Sequence, residues 1–253
     1  ARTHAWRVRE LLGNVYMWFH AEENEPPYWE VDPPLELSNI GTNKSDWRVV
    51  QRSTSHFSMH VAEMVENSAD YFHFNYLHVA LPLPLLRYFV TVEHDVKTFF
   101  PGEPTKTHTC YSEEYAELYV HLPIFGKIHL PLPRTKTVIT FEGPSIIHFN
   151  MKTAIGSMRM INHLLPLRPF ELHTETAWYA ERSVPTWLVY IIAEIAKGAL
   201  EQDRLVWESK SFANKPILVQ GDGPFSKHRR WFSQFYSENS RSAANANKNA
   251  IDW

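Results

Sequence analysis

The stretch Glu66-Asn67-Ser68-Ala69-Asp70-Tyr71-Phe72-His73-Phe74-Asn75-Tyr76-Leu77-His78 brings one aspartate and two imidazoles together within about four helical turns. On a helix Asp70 and His73, three apart, share a face; His78 follows five residues later and falls off that register. The pattern Asp-x-x-His-x-x-x-x-His suits a helix that bends or ends between its histidines. It offers two nitrogen donors to a metal, with a carboxylate placed to steady one of them.

Two imidazoles alone do not fix a metal. Joined by one carboxylate on one face of an ion, they leave positions open, as Fe(II) needs to take dioxygen beside a substrate. A helix-forming stretch further on offers Glu194, Glu201, Asp203 and Glu208. Asp203 stands out because Leu200, Val206 and Trp207 put it on an apolar, inward face, where an unmatched carboxylate is costly and a cation should meet it. His56 and His60, with Glu63, form a competing set. The later pair is preferred because Tyr71, Phe72, Phe74 and Tyr76 would exclude water around it. With 14 histidines in the chain, spacing alone leaves open that these imidazoles are hydrogen-bonded core or surface residues.

The elements that must position these groups read as an α+β arrangement. Trp6–Glu10 and Val15–Phe19 form a hairpin around Gly13-Asn14, and the proline-rich Glu22–Pro34 is a linker. Trp47–His56 alternates as a strand, and Met59–Leu77 is helical. Leu81-Pro82-Leu83-Pro84-Leu85-Leu86 is apolar but irregular, because each proline removes a donor. It is either pressed on the core or a lip for an apolar ligand or membrane. Strands follow over Tyr88–Phe100, Lys106–Leu122, Ile128–Leu130, Arg134–Phe141, Ile146–Thr153, Ser157–Leu165 and Leu172–Ala180, with turns at Gly126-Lys127 and Gly143-Pro144-Ser145. Short turns between them require antiparallel pairing. Val184–Phe212 is one long helix capped by Ser183, with Pro185 in its first turn. The layout is a helix-grip fold of the START/Bet v 1-like kind, a sheet closing on a long C-terminal helix.

Composition narrows the function. The 253 residues are 44% hydrophobic, enough for a sizeable core, and a net charge of −3 gives no field for nucleic acid. Cys110 is the only cysteine, which excludes disulfides and any Fe–S cluster held by this chain alone; it reads as a small buried apolar residue. Val184–Ala193, the most apolar run, is interrupted by Glu194 and is shorter than the roughly 20 residues a membrane span takes. No signal peptide or initiator methionine is present, and the chain reads as part of something longer. The Ser/Asn/Ala-rich stretch 237–253 reads as a polar, poorly ordered tail, and His228-Arg229-Arg230 as a solvated or partner-facing cluster.

The segment from His60 to His78 resembles the iron-binding segment of the Rieske non-haem iron oxygenases. Within that family it is most similar to the sterol branch, the cholesterol 7-desaturases, with bacterial 3-ketosteroid 9α-hydroxylase components as cousins. A second block agrees, in the right order: Glu201 to Lys210, Lys215 to Val219, Asp222-Gly223-Pro224 and His228 to Tyr236. The resemblance implies that His73, His78 and Asp203 ligate iron. It makes Asp70 the carboxylate that bonds a ligand histidine and passes electrons from a neighbouring subunit's cluster. Asn67 is one residue closer to Asp70 than the usual family asparagine and receives no role.

By the same resemblance, residues 1–34 are the end of a Rieske domain plus linker and 35–236 the non-haem iron catalytic domain. The [2Fe–2S] cluster is then expected in a missing N-terminal part, because no Cys-x-His…Cys-x-x-His motif is present. The implied activity is O2- and NAD(P)H-dependent removal of hydrogens at C7–C8 of cholesterol, with electrons from a partner reductase, in a homotrimer associated with the endoplasmic reticulum membrane. The alternatives are a steroid hydroxylase of the same family, a non-catalytic sterol-binding or transfer protein, and a zinc hydrolase using the same triad.

Overall fold

The computed structural model describes residues 5–22, 25–83, 85–102, 104–122, 124, 126–130, 134–211 and 216–240. Of the expected polar tail, residues 241–253 lie outside the described residues, as do Pro84, Phe212 and Lys215.

The alternating N-terminal runs form the expected hairpin, β1 (Val8–Leu11) and β2 (Asn14–Met17). Leu12 and Gly13 between them both take positive φ, 54° and 79°, as a tight two-residue turn between twisted strands requires. Among the described residues, eight further strands make one antiparallel sheet. They are β3 (Trp47–Phe57), β4 (Val90–Phe99), β5 (Thr109–Leu122), β6 (Gly126–His129), β7 (Thr135–Glu142), β8 (Ile146–Thr153), β9 (Gly156–Arg168) and β10 (Glu171–Glu181). The order is β3-β10-β9-β8-β7-β5-β4, with β6 beside the far end of β5. One correction concerns Gly126-Lys127, which opens β6 instead of forming the turn. Leu122 already pairs with Gly126, so the chain reverses before it.

Strand alternation sorts the sheet into two faces. On the inner face Cys110, Ile139, Phe141, Ile147, Leu164 and Leu172 pack with Phe57 and Trp207. Nearby on that face Met158, Trp178 and Ala180 meet Val184, Val189 and Ala193. The outer face carries Trp47, Ile146, Ile161, Ala177 and Tyr179, covered by Leu37 and by Leu12 and Tyr16 of the hairpin. Cys110 is fully buried, and burial pushes its thiol pKa up, which makes it an inert apolar residue.

The long helix over the inner face, α3, runs Thr186–Trp207, shorter at both ends than its sequence pattern. Ser183 does not cap it. Pro185 precedes its first residue without a side-chain bond, and Ser183 Oγ instead points to Glu181 at 3.5 Å. Arg48 guanidinium bonds to the Glu181 and Val184 carbonyls, 2.7 and 2.6 Å, tie this end to β3. The apolar loop after residue 80 both packs and projects. Pro82 abuts Gly198 so closely that a Cβ there would lie 2.7 Å from the proline ring, while Leu85 is exposed.

Candidate metal centre

The segment carrying the histidines is two short helices. His60 opens α1 (Val61–Glu66), its Nδ1 accepting from Ala62 N–H at 3.1 Å. A tight turn over Asn67–Ala69 then breaks the helix, and Asp70 caps the next one, α2 (Tyr71–Leu77), by accepting from His73 N–H at 3.2 Å. One break precedes both histidines, and the helix also ends between them, as the spacing suggested. His73 sits in the first turn of α2, and His78 is the residue on which the helix ends.

Two devices lock α2 in place. Tyr71 OH accepts from Thr98 N–H at 2.7 Å. Asn75 meets both main-chain groups of His94, donating to its carbonyl at 2.7 Å and accepting from its N–H at 2.8 Å. Because β4 ends the main run of the sheet, the Asn75 amide takes the place of a neighbouring strand's peptide group. The connection to α4 (Phe225–Ser233) runs under the break in the helix. A Cβ at Gly223 would fall 2.0 Å from the Ala69 carbonyl oxygen, so only glycine fits.

His73, His78 and Asp203 come together as expected, each offering a ligand atom within 4.8 Å of the other two. Asp203 is 7% exposed on the inward side of α3 with Trp207. Val206, expected beside it, lines the same recess and is 44% exposed. The hydrogen bonds place a ring proton of each histidine on Nδ1. His73 Nδ1 donates to the main-chain oxygen of Asp70 and His78 Nδ1 to Gln202 Oε1 at 3.0 Å, because both partners are acceptors. Each neutral ring then keeps its lone pair on Nε2; that of His73 accepts from the Asn67 amide at 3.1 Å, a bond a metal would replace. His78 Nε2 lies 3.2 Å from Asp203 Oδ1, a buried carboxylate oxygen with no hydrogen-bond partner among the described residues.

With His78 neutral, two acceptors face each other, and only a proton or a metal cation between them resolves the conflict. Accordingly, although burial works against its charge, Asp203 beside the ring raises the His78 pKa. Burial lowers that of His73. Two imidazoles and one carboxylate fit a divalent transition metal of the Fe(II) kind.

Asp70 departs from its expected contact. Its main-chain oxygen, not its carboxylate, takes the His73 ring proton. Asp70 lines a recess of about 200 Å³ together with Asn67, His73, Asp203, Val206 and Trp207. The competing set does not assemble. His56 faces His173 across β3 and β10 at 3.2 Å, His60 caps α1, and Glu63 meets Lys210 Nζ at 2.5 Å.

Several site residues gave no sequence signal. Asn67, left without a role, places Nδ2 3.1 Å from His73 Nε2, and Gln202 fixes the His78 proton. The His228-Arg229-Arg230 cluster is not a solvated patch: His228 is 1% exposed, and Arg229 makes a two-pronged pair with the buried Glu66, one prong at 2.7 Å. Only Arg230 matches the surface expectation.

Comparison with known proteins agrees with this architecture. Residues 17–236 match the family described as the 3-ketosteroid 9alpha-hydroxylase C-terminal domain. A cholesterol 7-desaturase of Xenopus laevis is 30% identical over 252 residues, covering 96% of this chain and 53% of its own length. A 3-ketosteroid-9-alpha-monooxygenase oxygenase component of Rhodococcus rhodochrous is 28% identical, over 93% of this chain and 57% of its own. The chain spans about half the length of such curated relatives. Among solved structures, dicamba monooxygenase bound to dicamba has the same fold, with a TM-score of 0.61 at 12% identity, over 91% of this chain and 69% of its own. On this match, the helix-grip sheet and the two-histidine, one-aspartate cluster, the chain belongs to the 3-ketosteroid 9α-hydroxylase C-terminal domain family, the catalytic domain of Rieske oxygenases.

Proposed function

We propose that the chain is the catalytic domain of a sterol desaturase acting like cholesterol 7-desaturase, in which His73, His78 and Asp203 hold one Fe(II). The observation that carries this reading is the approach of Asp203 Oδ1 to His78 Nε2, two acceptors in need of a cation. The sterol comes from the names of the relatives.

When bound, the ferrous ion supplies the activation of dioxygen. The protein's own residues prepare it. Gln202 and the Asp70 carbonyl hold each imidazole proton on Nδ1. Phe74, whose ring lies 3.9 Å from that of His73 and 6.1 Å from that of His78, keeps water from the imidazoles. Asp70, which lines the recess beside the metal ligands, carries electrons inward. Those electrons come from NAD(P)H through a reductase and a [2Fe–2S] cluster held outside this chain. Residues 1–34 are the end of that cluster's domain, and the cluster reaching Asp70 belongs to a neighbouring subunit of a homotrimer.

Overall, cholesterol, O2, NAD(P)H and a proton give 7-dehydrocholesterol, NAD(P)+ and two waters. Attachment to the endoplasmic reticulum membrane belongs to the full-length protein. Among the described residues no helix is long and apolar enough to cross a membrane. The Rhodococcus relative supports a second reading, hydroxylation of a steroid by the same centre. Sterol product analysis by mass spectrometry in cells expressing the full-length protein tests both. A product two hydrogens lighter, lost in Asp203→Ala, supports desaturation; a product one oxygen heavier supports hydroxylation; no sterol product with either form contradicts both.

A further inference from the structure

Most polar side chains on the inner face of the sheet satisfy each other. Thr98 and Ser112 hydroxyls lie 2.9 Å apart, and Thr176 Oγ1 donates to Asn162 Oδ1 at 2.8 Å. His94 on β4 and Glu114 on β5 leave something over. Alternation puts both on the inner face, with Val92, Val96, Cys110 and Ser112. His94 Nδ1 lies 2.7 Å from Glu114 Oε1, with the two side chains only 9% and 16% exposed. A carboxylate accepts, so the imidazole carries a proton on Nδ1, and in the neutral ring Nε2 keeps its lone pair. That nitrogen is buried and has no partner among the described residues.

The ring is held, not loose. Asn75 clamps the His94 main chain from both sides, and Glu114 fixes the imidazole. Phe74 connects the ring to the metal ligands, its centroid 5.8 Å from that of His94 and 6.1 Å from that of His78. An unpaired acceptor one aromatic ring from His78 is unfavourable unless a ligand donates to it.

We propose that His94 is the polar recognition group for the substrate, its Nε2 accepting a hydrogen bond from a substrate hydroxyl while Glu114 holds its proton on Nδ1. The inference rests on the sterol reading above and narrows it to an alcohol. A ketone oxygen at the same place would set one acceptor against another. A sterol hydroxyl and the C7–C8 bond belong to one rigid ring system, so gripping the first orients the second.

The test is equilibrium binding of cholesterol and of cholest-4-en-3-one to the Fe(II)-loaded chain under anaerobic conditions. One hydrogen bond against one acceptor clash predicts that the alcohol binds about tenfold tighter. His94→Phe and Glu114→Gln should each shrink that preference to about twofold while Fe(II) binding stays intact. In the wild-type chain labelled with 15N-histidine, cholesterol should shift the Nε2 resonance of His94 and 3-deoxycholesterol should not. Equal binding of alcohol and ketone, a preference retained in both variants, or an unmoved Nε2 resonance overturns the role of His94 and leaves the sterol reading standing. Binding of neither sterol by the wild-type chain overturns both.

Discussion

His78 Nε2 faces Asp203 Oδ1 at 3.2 Å across the gap between the end of α2 and the inner side of α3, while Nδ1 of the same ring bonds Gln202. Two consecutive residues of one helix thus grip both nitrogens of one imidazole. The first sets where its proton sits, and the second creates the need for a cation on the other side.

Replacing Gln202 by Leu should weaken Fe(II) binding without removing any ligand, because the His78 proton would no longer be confined to Nδ1. Loss of such an outer partner typically costs about 10- to 100-fold in metal affinity. Anaerobic titration calorimetry of Gln202→Leu checks this. Unchanged affinity would mean that the amide is incidental to the centre.

Much of this arrangement is legible in the sequence, and the reasons differ by element. The strands are legible from their β-rich runs and the turns between them, and alternation is cleanest in β4, whose outer face is uncovered, whereas β8 and β10 are buried on both faces where the hairpin and Leu37 cover the sheet. The candidate ligands are legible in part, because an inward carboxylate and closely spaced histidines break apolar patterns; spacing alone leaves them open, and the family resemblance of the two blocks joins His73, His78 and Asp203 into one set. Gln202 and Asn67 are not legible, since an amide on a helix looks like any solvated residue until its partner, over 120 positions away for Gln202, is brought beside it. His228 and Arg229 mislead for a related reason. A His-Arg-Arg run looks like solvated surface, yet α4 turns the first residue into the core and the second onto Glu66. The capping of α3 fails because Pro185 fixes the backbone where Ser183 would have to reach back.

The Glu66–Arg229 pair joins α1 to α4 beside the metal segment, and the Glu66 side chain is only 9% exposed. Arg229→Met should destabilise the fold by about 3 kcal/mol, because it leaves a buried carboxylate uncompensated. Glu66→Leu combined with Arg229→Met should recover most of that loss. Urea unfolding of the single and double variants measures it. A double variant no more stable than Arg229→Met would show that the ion pair is not what the single change removes.

His228, enclosed by the rings of Phe100, Phe141 and Trp231, has its pKa pushed down to about 4, first by burial and then by the charge of Arg229. The folded chain holds it neutral; the unfolded chain protonates it near the ordinary value of about 6.5. The unfolded state therefore binds more protons between these limits. Stability contributed by neutral His228 is complete above about pH 6.5 and is lost as pH falls toward 4, at up to about 1.4 kcal/mol per pH unit. His228→Phe should flatten this part of the acid profile, read as urea midpoints from pH 7 to 4.5. Parallel profiles for the two proteins would contradict the assignment. His163, held near 4 chiefly by burial, leaves a residual slope in both.

The most direct test of the iron centre is anaerobic Fe(II) binding, with metal content and the electron spin resonance of the nitric oxide adduct measured together. The wild-type chain should take up one Fe(II) and give one adduct with open coordination positions. His73→Ala and Asp203→Ala should each lose both signals while retaining the circular dichroism of the fold. Iron uptake and an adduct unchanged in those two variants would contradict a centre built from His73, His78 and Asp203.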